Sequence, residues 1–183
     1  MKRGEVEITI QEIGPHTLQD VNQCDGTFAI DSKMVLHAEK NVITYTMDSV
    51  AQYNKRYPIE EMDASTYVSN PNRTIFFAYI DGELAGQIRV IKYWNAYAYI
   101  ADIVVDVRYR KQGVGKALIE RAIAWAKSGG FPGMMLETQN NNVAACRLYE
   151  SCGFVLGGFD GYLYKGLNRT MDEIALYWYL IFD

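Results

Sequence analysis

From Thr74 onward the apolar positions fall into sharply bounded periods. Ile75-Phe76-Phe77-Ala78-Tyr79-Ile80 is an apolar strand, Asp81-Gly82 has the composition of a two-residue hairpin turn, and Leu84 to Tyr93 is the returning strand. Trp94-Asn95-Ala96 makes the next turn. Tyr97 to Val107 is a third long run of β-branched and aromatic residues, which predicts a three-stranded antiparallel meander. After Gln112 the period becomes helical: Val114, Leu118, Ala122 and Trp125 share one stripe, Ile119 and Ile123 lie beside it, and Gly129-Gly130 stops it. Met134 to Glu137 is a short apolar strand, and Asn142 to Cys152 a second helix closed by Gly153. Phe154 to Leu156 and Gly161 to Tyr164 flank a loop, and Ile174 to Phe182 is a buried strand.

Residues 1–70 are less regular. Val6, Ile8 and Ile10 alternate with polar residues, and Val42 to Thr46 makes a second short strand. The acidic run Glu60-Glu61-Met62-Asp63 has the composition of a solvated face, with Glu60, Glu61 and Asp63 lining the entrance of a cleft as the alternative, and a helix from Asp63 to Ser69 is expected to end before Pro71. No repeat and no linker interrupts the chain. Strands followed by β-α-β-α-β-β give an α/β fold of mixed layers, one domain over residues 1–183.

At 183 residues the chain is long enough to bury a core without metal or disulfide staples. Its composition, 49% hydrophobic and 22% charged, excludes a disordered or low-complexity class. A net charge of -4 argues against nucleic acid as the partner, since neutralising phosphates needs a basic face. The cysteines Cys24, Cys146 and Cys152 are odd in number and lack the close pairs of zinc sites, so free thiols in a reducing cytoplasm and no metal are expected. The opening Met1 to Glu7 carries no apolar signal core, and the longest apolar run is the nine residues from Ile174 to Phe182. Neither export nor a membrane span is expected.

Candidate chemistry begins at the strand-to-helix junction Val105 to Lys116. Gly113-Val114-Gly115 lets the backbone approach a ligand and aims free amides outward, at a helix N-terminus that carries positive partial charge. Such a turn suits phosphate. A P-loop would need glycine at 110 and Ser or Thr at 117, where this chain has Arg110 and Ala117. A dinucleotide fingerprint would need a third glycine at 118, which is Leu118. What remains is Arg-x-x-Gly-x-Gly at 110–115, entered from an antiparallel meander. On its own it could be a tight turn with solvated cations. A second motif follows on the next helix, Asn142-x-x-Ala145-x-x-Leu148-Tyr149-x-x-x-Gly153-Phe154.

The two motifs together resemble those of the GCN5-related N-acetyltransferase (GNAT) superfamily, over about residues 75–165. The resemblance implies a central, mostly antiparallel mixed sheet flanked by helices, with residues 75–183 as the acetyl-CoA-binding core and residues 1–70 on the substrate side. It places acetyl-CoA along Ile103, Val104, Val105 and Val107, along the turn of Arg110, Lys111, Gln112, Gly113, Val114, Gly115 and Lys116, and against Asn142 and Ala145. It also implies direct attack of an amine on the thioester, with Tyr149 facing the sulfur as general acid. An alkyl amine with a pKa near 10.4 must lose a proton before attacking, so a carboxylate is needed nearby. Asp102 is the first candidate, because an acid in the apolar run Tyr99 to Val105 is costly to bury unless paired or used. The alternative for Asp102 is an acceptor of backbone amides at a bulge. Glu137 is the second candidate base, and either carboxylate could instead bind a cationic group of the substrate. A catalytically silent acyl-CoA-binding module would need neither Tyr149 nor these acids.

A closer set of residues resembles the streptothricin acetyltransferases: Trp94-Asn95-x-Tyr97-Ala98-Tyr99-Ile100, Asp102-Ile103, Met135 to Gln139, Ala145-Cys146, Asp160-x-x-Leu163-Tyr164 and Trp178-Tyr179. That resemblance implies acetylation of the β-lysine side chain of a polycationic antibiotic, and it leans toward a homodimer. A polycation calls for carboxylates and aromatic faces, which makes Trp94, Tyr97 and Asp160 candidate substrate-binding residues beside Asp102 and Glu137, with ordinary sheet packing as the alternative for the aromatics. Two positions depart from the family: Ala101 precedes Asp102 where glutamate is expected, and Gly161 follows Asp160 where threonine is expected. An acetyltransferase for another amine, such as a protein terminus, lysine or polyamine, is the competing reading.

Overall fold

In the computed structural model, which describes residues 6–183, the chain opens with β1 (Thr9–Glu12) and a long hairpin of β2 (Phe28–Glu39) and β3 (Val42–Lys55). The polar opening over residues 1–5 lies outside the described residues. The meander follows as β4 (Arg73–Ile80), β5 (Glu83–Lys92) and β6 (Ala98–Val105). Then come α1 (Val114–Ser128), β7 (Gly133–Gln139), α2 (Val143–Ser151), β8 (Val155–Asp160) and β9 (Ala175–Ile181).

Seven strands form one sheet in the order β1-β4-β5-β6-β7-β9-β8, and β2 and β3 pair separately. Every neighbouring pair of the large sheet is antiparallel except β6 with β7. The turn between β4 and β5 forms at Asp81 and Gly82, whose φ angles of 51° and 81° match the twist of the strands it joins. β4 is apolar on both faces because both are covered. Phe76, Ala78 and Ile80 join Leu118, Ile119 and Ala122 of α1 in the main core. Ile75 and Phe77 point the other way and pack with Ile13 and Tyr67 from the N-terminal part.

The N-terminal third differs most from the sequence reading. The strand expected at Val42–Thr46 runs on to Lys55 and pairs with β2, which was not anticipated. The turn between them uses Lys40 and Asn41 with φ angles of 50° and 67°, so it carries no glycine or proline to mark it. A bulge between Ile30 and Ser32 also breaks the alternation of β2. The helix expected from Asp63 to Ser69 is a single 3-10 turn, Ala64–Tyr67, capped by the Asp63 side chain and cut short where Ser69 takes a φ of 52°. Near the C-terminus, the expected loop after Leu156 is instead the continuous strand β8 with a bulge between Leu156 and Gly158, and Leu163–Gly166 is a 3-10 turn. No helix among the described residues is long and apolar enough to cross a membrane.

Candidate active site

β6 and β7 stay paired only from Ala98/Met134 to Ile100/Leu136. Beyond that β6 continues against β5, and β7 continues against β9. The parallel strands therefore part, and the β7-facing edge of residues 101–105 has no ladder partner. A cavity of about 760 Å³ opens in the gap, lined by the ends of both strands, the turn before α1, the first half of α2 and the segments 22–28 and 56–62.

One wall of the cavity is built from backbone. Gly113 caps α1 with φ 91°, a conformation that costs other residues about 1–2 kcal/mol. The first helical hydrogen bond runs from the Ala117 amide to the Gly113 carbonyl at 3.0 Å, which leaves the amides of Val114, Gly115 and Lys116 without an acceptor inside the helix. Gly115 serves packing: a Cβ there would stand 2.8 Å from Leu148 Cδ2, so its absence lets α1 and α2 approach closely. Arg110, Lys111 and Lys116 line the same wall. Arg108 does not, because its guanidinium is bonded to Asp106 Oδ1 at 2.9 Å. Burial disfavours the Asp106 charge, yet the hydrogen bonds from Arg108 and from the Asp25 amide prevail and hold its carboxyl down at about 2. Asp106 thereby fastens the 25–27 loop to the end of β6.

The opposite wall is built from side chains. Asp102 lies on β6 beside the bulge in the β5–β6 ladder, and its Oδ2 accepts from the side-chain amide of Gln87 at 2.9 Å. Burial raises its pKa, against the pull of that hydrogen bond and of Arg89. Glu137 on β7 accepts from the Tyr164 hydroxyl, and burial raises its pKa as well. Tyr149 lines the cavity from α2; it packs against Phe154 and Trp178 and is 4% exposed. Burial, reinforced by neighbouring Cys146 and Tyr57, pushes its phenol well above the usual range, so it keeps its proton at neutral pH. Tyr57 closes the wall from the segment after β3, its hydroxyl accepting from Asn142 Nδ2 at 3.3 Å, and burial pushes its pKa up to about 12.

The cavity thus brings together Tyr149, Asp102 and Glu137 with Ile103, Val104, Val105, Arg110, Lys111, Gly113, Val114, Gly115, Lys116, Asn142 and Ala145. Val107 and Gln112 are not among the residues that line it. Trp94, Tyr97 and Asp160 are not among the residues that line it. Trp94 is 85% exposed on the turn at the far end of β6, and Tyr97 packs edge-on against Tyr179. Asp160 accepts the amides of Tyr162 and Leu163 at the end of β8. Glu60, for which a solvated run and the cleft entrance were the two readings, lines the cavity and forms an ion pair with Arg89, which is itself only 8% exposed. Gln87, Arg89 and Tyr164 were not anticipated. Only the polar character of Gln87 and Arg89 inside the apolar run Leu84 to Tyr93 could have marked two of them.

The acetyltransferase (GNAT) family model matches residues 43–154, more than half of the chain. The chain belongs to this family. Streptothricin acetyltransferase A of Bacillus subtilis is 39% identical over 166 residues, covering 90% of this chain and 95% of the relative. The streptothricin acetyltransferase of Escherichia coli is 37% identical over 165 residues, covering 90% and 91%. Among solved structures, a Bacillus anthracis protein provisionally assigned as a streptothricin acetyltransferase, crystallised with acetyl coenzyme A, superposes with a TM-score of 0.89 at 47% identity, covering 98% and 99% of the two chains. Nourseothricin acetyltransferase superposes with a TM-score of 0.78 at 29% identity, covering 95% and 98%.

The GNAT chain is an acetyl-CoA-dependent N-acetyltransferase, and its residues fit that cosubstrate. The amides at 114–116 and the three lining cations offer an anionic group both partial and full positive charge. The unpaired edge of β6 offers backbone donors further in, and Tyr149 stands where the two strands diverge.

Proposed function

We propose that this enzyme acetylates an amino group of a streptothricin-type antibiotic, on its β-lysine moiety, and so confers resistance. One observation carries the substrate class. Similarity to the two streptothricin enzymes covers 90% of the chain, so it must include most of residues 6–70, which supply Asn22, Cys24, Tyr57 and Glu60 to the acceptor side of the cavity. By contrast, N-alpha-acetyltransferase 30 of Xenopus laevis is 33% identical over 114 residues, only 60% of this chain. That shorter match supports common acetyl-transfer chemistry and leaves a large part of the chain outside it. Asp102, Glu137 and Glu60 also give a cationic acceptor three carboxylates on one cavity.

In this reading acetyl-CoA supplies the activated acetyl group, and the protein's own groups move the protons. Asp102 takes the proton from the substrate ammonium, directly or through water, which frees the nitrogen lone pair to attack the thioester carbonyl carbon. Glu137, held by Tyr164, orients the remaining cationic groups or shares the base role. Amides on the open edge of β6 donate to the carbonyl oxygen as charge develops there. As the carbon–sulfur bond breaks, Tyr149 gives its phenolic proton to the departing sulfur, and the second proton of the attacking nitrogen, released as the amide forms, restores the phenol through water. The raised pKa of Tyr149 keeps that proton available throughout the neutral range.

Release of free thiol from acetyl-CoA, followed with streptothricin, spermidine and a lysine-containing peptide as acceptors, tests the substrate. Turnover on streptothricin at least 100-fold more efficient than on the others is expected. Efficient turnover of spermidine or the peptide with none on streptothricin would sink the proposal.

A further inference from the structure

Gln87 is an amide buried to 1% exposure in the middle of β5, between Gly86 and Ile88. Packing alone does not call for it, since an apolar side chain would fill the site without the cost of burying an amide. Its hydrogen-bonding groups are nevertheless heavily used. Nε2 donates to Asp102 Oδ2 at 2.9 Å and to Asn22 Oδ1 at 2.9 Å, and Oε1 accepts from the Asn22 amide at 2.8 Å. Asn22 takes a φ of 63°, a left-handed conformation that asparagine tolerates better than most residues.

The connections continue from Asn22. Its side-chain amide reaches the Glu60 carbonyl at 3.4 Å, the Glu60 carboxylate pairs with Arg89, and Arg89 sits opposite Asp102 in the β5–β6 register. Asp102, Gln87, Asn22, Glu60 and Arg89 therefore form a chain of bonded groups, and the charge at its Arg89 end acts back on Asp102. This chain of groups joins the candidate base to both segments, 22–28 and 56–62, that wall the acceptor side of the cavity.

We propose that Gln87 is a positioning residue of the reaction, whose side-chain amide fixes the Asp102 carboxylate and the loop bearing Asn22 in a single register. The assignment rests on the reading of Asp102 as the base that receives the amine proton. Asp102 also faces Arg89 on β5, Glu60 on the 56–62 segment, Cys24 on the 22–28 segment and Tyr149 on α2. Burial raises the Asp102 pKa while the Gln87 bond and Arg89 oppose that rise. Loss of the Gln87 donor removes one of the two opposing influences, so the folded-state pKa moves further up.

The test uses the full chain with Gln87→Met, which keeps the volume and deletes the polar atoms. The Asp102 carboxyl is titrated by carbon-13 NMR in protein labelled at aspartate, and kcat/KM is measured against pH with the amine acceptor. The expected results are an Asp102 pKa raised by about one unit, an acid limb of the rate profile moved up with it, and an acceptor KM several-fold higher at unchanged acetyl-CoA KM. Gln87→Glu keeps the oxygen that accepts from Asn22 while placing a like charge on Asp102. It should raise the Asp102 pKa too, and it supplies the same readout if the methionine variant does not fold. An Asp102 pKa unmoved in a folded Gln87 variant overturns the assignment. Undiminished kcat in Asp102→Asn overturns instead the base reading on which it rests, so the two failures are separable.

Discussion

The wall formed by the end of β6 and residues 110–116 presents backbone amides and a short run of cations, all within a dozen consecutive positions. The facing wall presents side chains fixed by partners from distant parts of the chain: Gln87 on Asp102, Tyr164 on Glu137, Arg89 on Glu60, and behind them Lys55 on Glu173, 118 positions away. A cradle of backbone depends on local conformation, and most side-chain changes leave it intact. A wall of paired side chains depends on each partner, because a buried group left alone bears the full cost of desolvation. Under the proposed function, the constant cosubstrate is recognised by the first wall and the acceptor by the second.

Tyr149 stands at the junction and should belong to neither binding function. The largest expected effect is therefore that of Tyr149→Phe: kcat falls by about 10²–10⁴-fold, while the KM values for acetyl-CoA and for the acceptor stay close to those of the parent. The ring packs on Phe154 and Trp178, and that contact survives the substitution. Steady-state kinetics together with calorimetric titration of acetyl-CoA decide the matter. An unchanged kcat removes Tyr149 from the acid role, and a large rise in either KM would mean that the junction is part of one wall after all.

The contrast between walls also explains what could be read from the chain. The turn before α1 was legible because Arg110, Gly113 and Gly115 fall at fixed spacing between a strand and a helix, so local rules suffice. The β4–β5 hairpin was legible for the same reason at Asp81-Gly82. The β2–β3 hairpin was not, since its turn at Lys40 and Asn41 offers a single asparagine with neither glycine nor proline, and the bulge at Ile30/Ser32 hides the period. On the acceptor wall, Asp102 and Glu137 could be suspected from their cost in apolar strands. Their holders could not, because nothing near Gln87 or Tyr164 in sequence points to the carboxylate each one meets. Trp94, Tyr97 and Asp160 illustrate the converse. They fall in turns and strands of the right region, but strand register directs them to the surface, to Tyr179 and to a turn of their own.

The next effect in size concerns the support of the acceptor wall. Lys55 and Glu173 pair at 2.6 Å with side chains only 18% and 15% exposed, and Asn141 donates to the same Glu173 oxygen at 3.0 Å. The other Glu173 oxygen has no partner among the described residues, so little compensation remains if the lysine is removed. Lys55→Met is expected to destabilise by about 3–5 kcal/mol, seen as a fall in Tm of roughly 10 °C. Because Lys55 leads directly into the 56–62 segment, the acceptor KM should rise more than the acetyl-CoA KM. Lys55→Met combined with Glu173→Leu should recover most of the stability, since no lone charge is then buried. A double variant no more stable than the single one would show that the pair acts through something other than its charges.

The smallest effect falls on the backbone wall and reverses the pattern of kinetic constants. Gly113→Val forces a β-branched residue into φ 91°, at a cost of about 1–2 kcal/mol. A Cβ there meets nothing closer than Ile8 Cδ1 at 3.8 Å, so the penalty is conformational rather than steric. The turn can relieve it only by rotating toward negative φ, which swings the amides of residues 114–116 off their common direction. The acetyl-CoA KM should rise about 10-fold, with the acceptor KM unchanged and the fold intact by circular dichroism. Raising the salt concentration should weaken acetyl-CoA binding in the parent through the lining cations Arg110, Lys111 and Lys116. In Gly113→Val that salt dependence should persist, because the cations remain while the amides have turned away. If Gly113→Val disturbed the acceptor KM as strongly as that of acetyl-CoA, the two walls would be mechanically coupled and the division between them would fail.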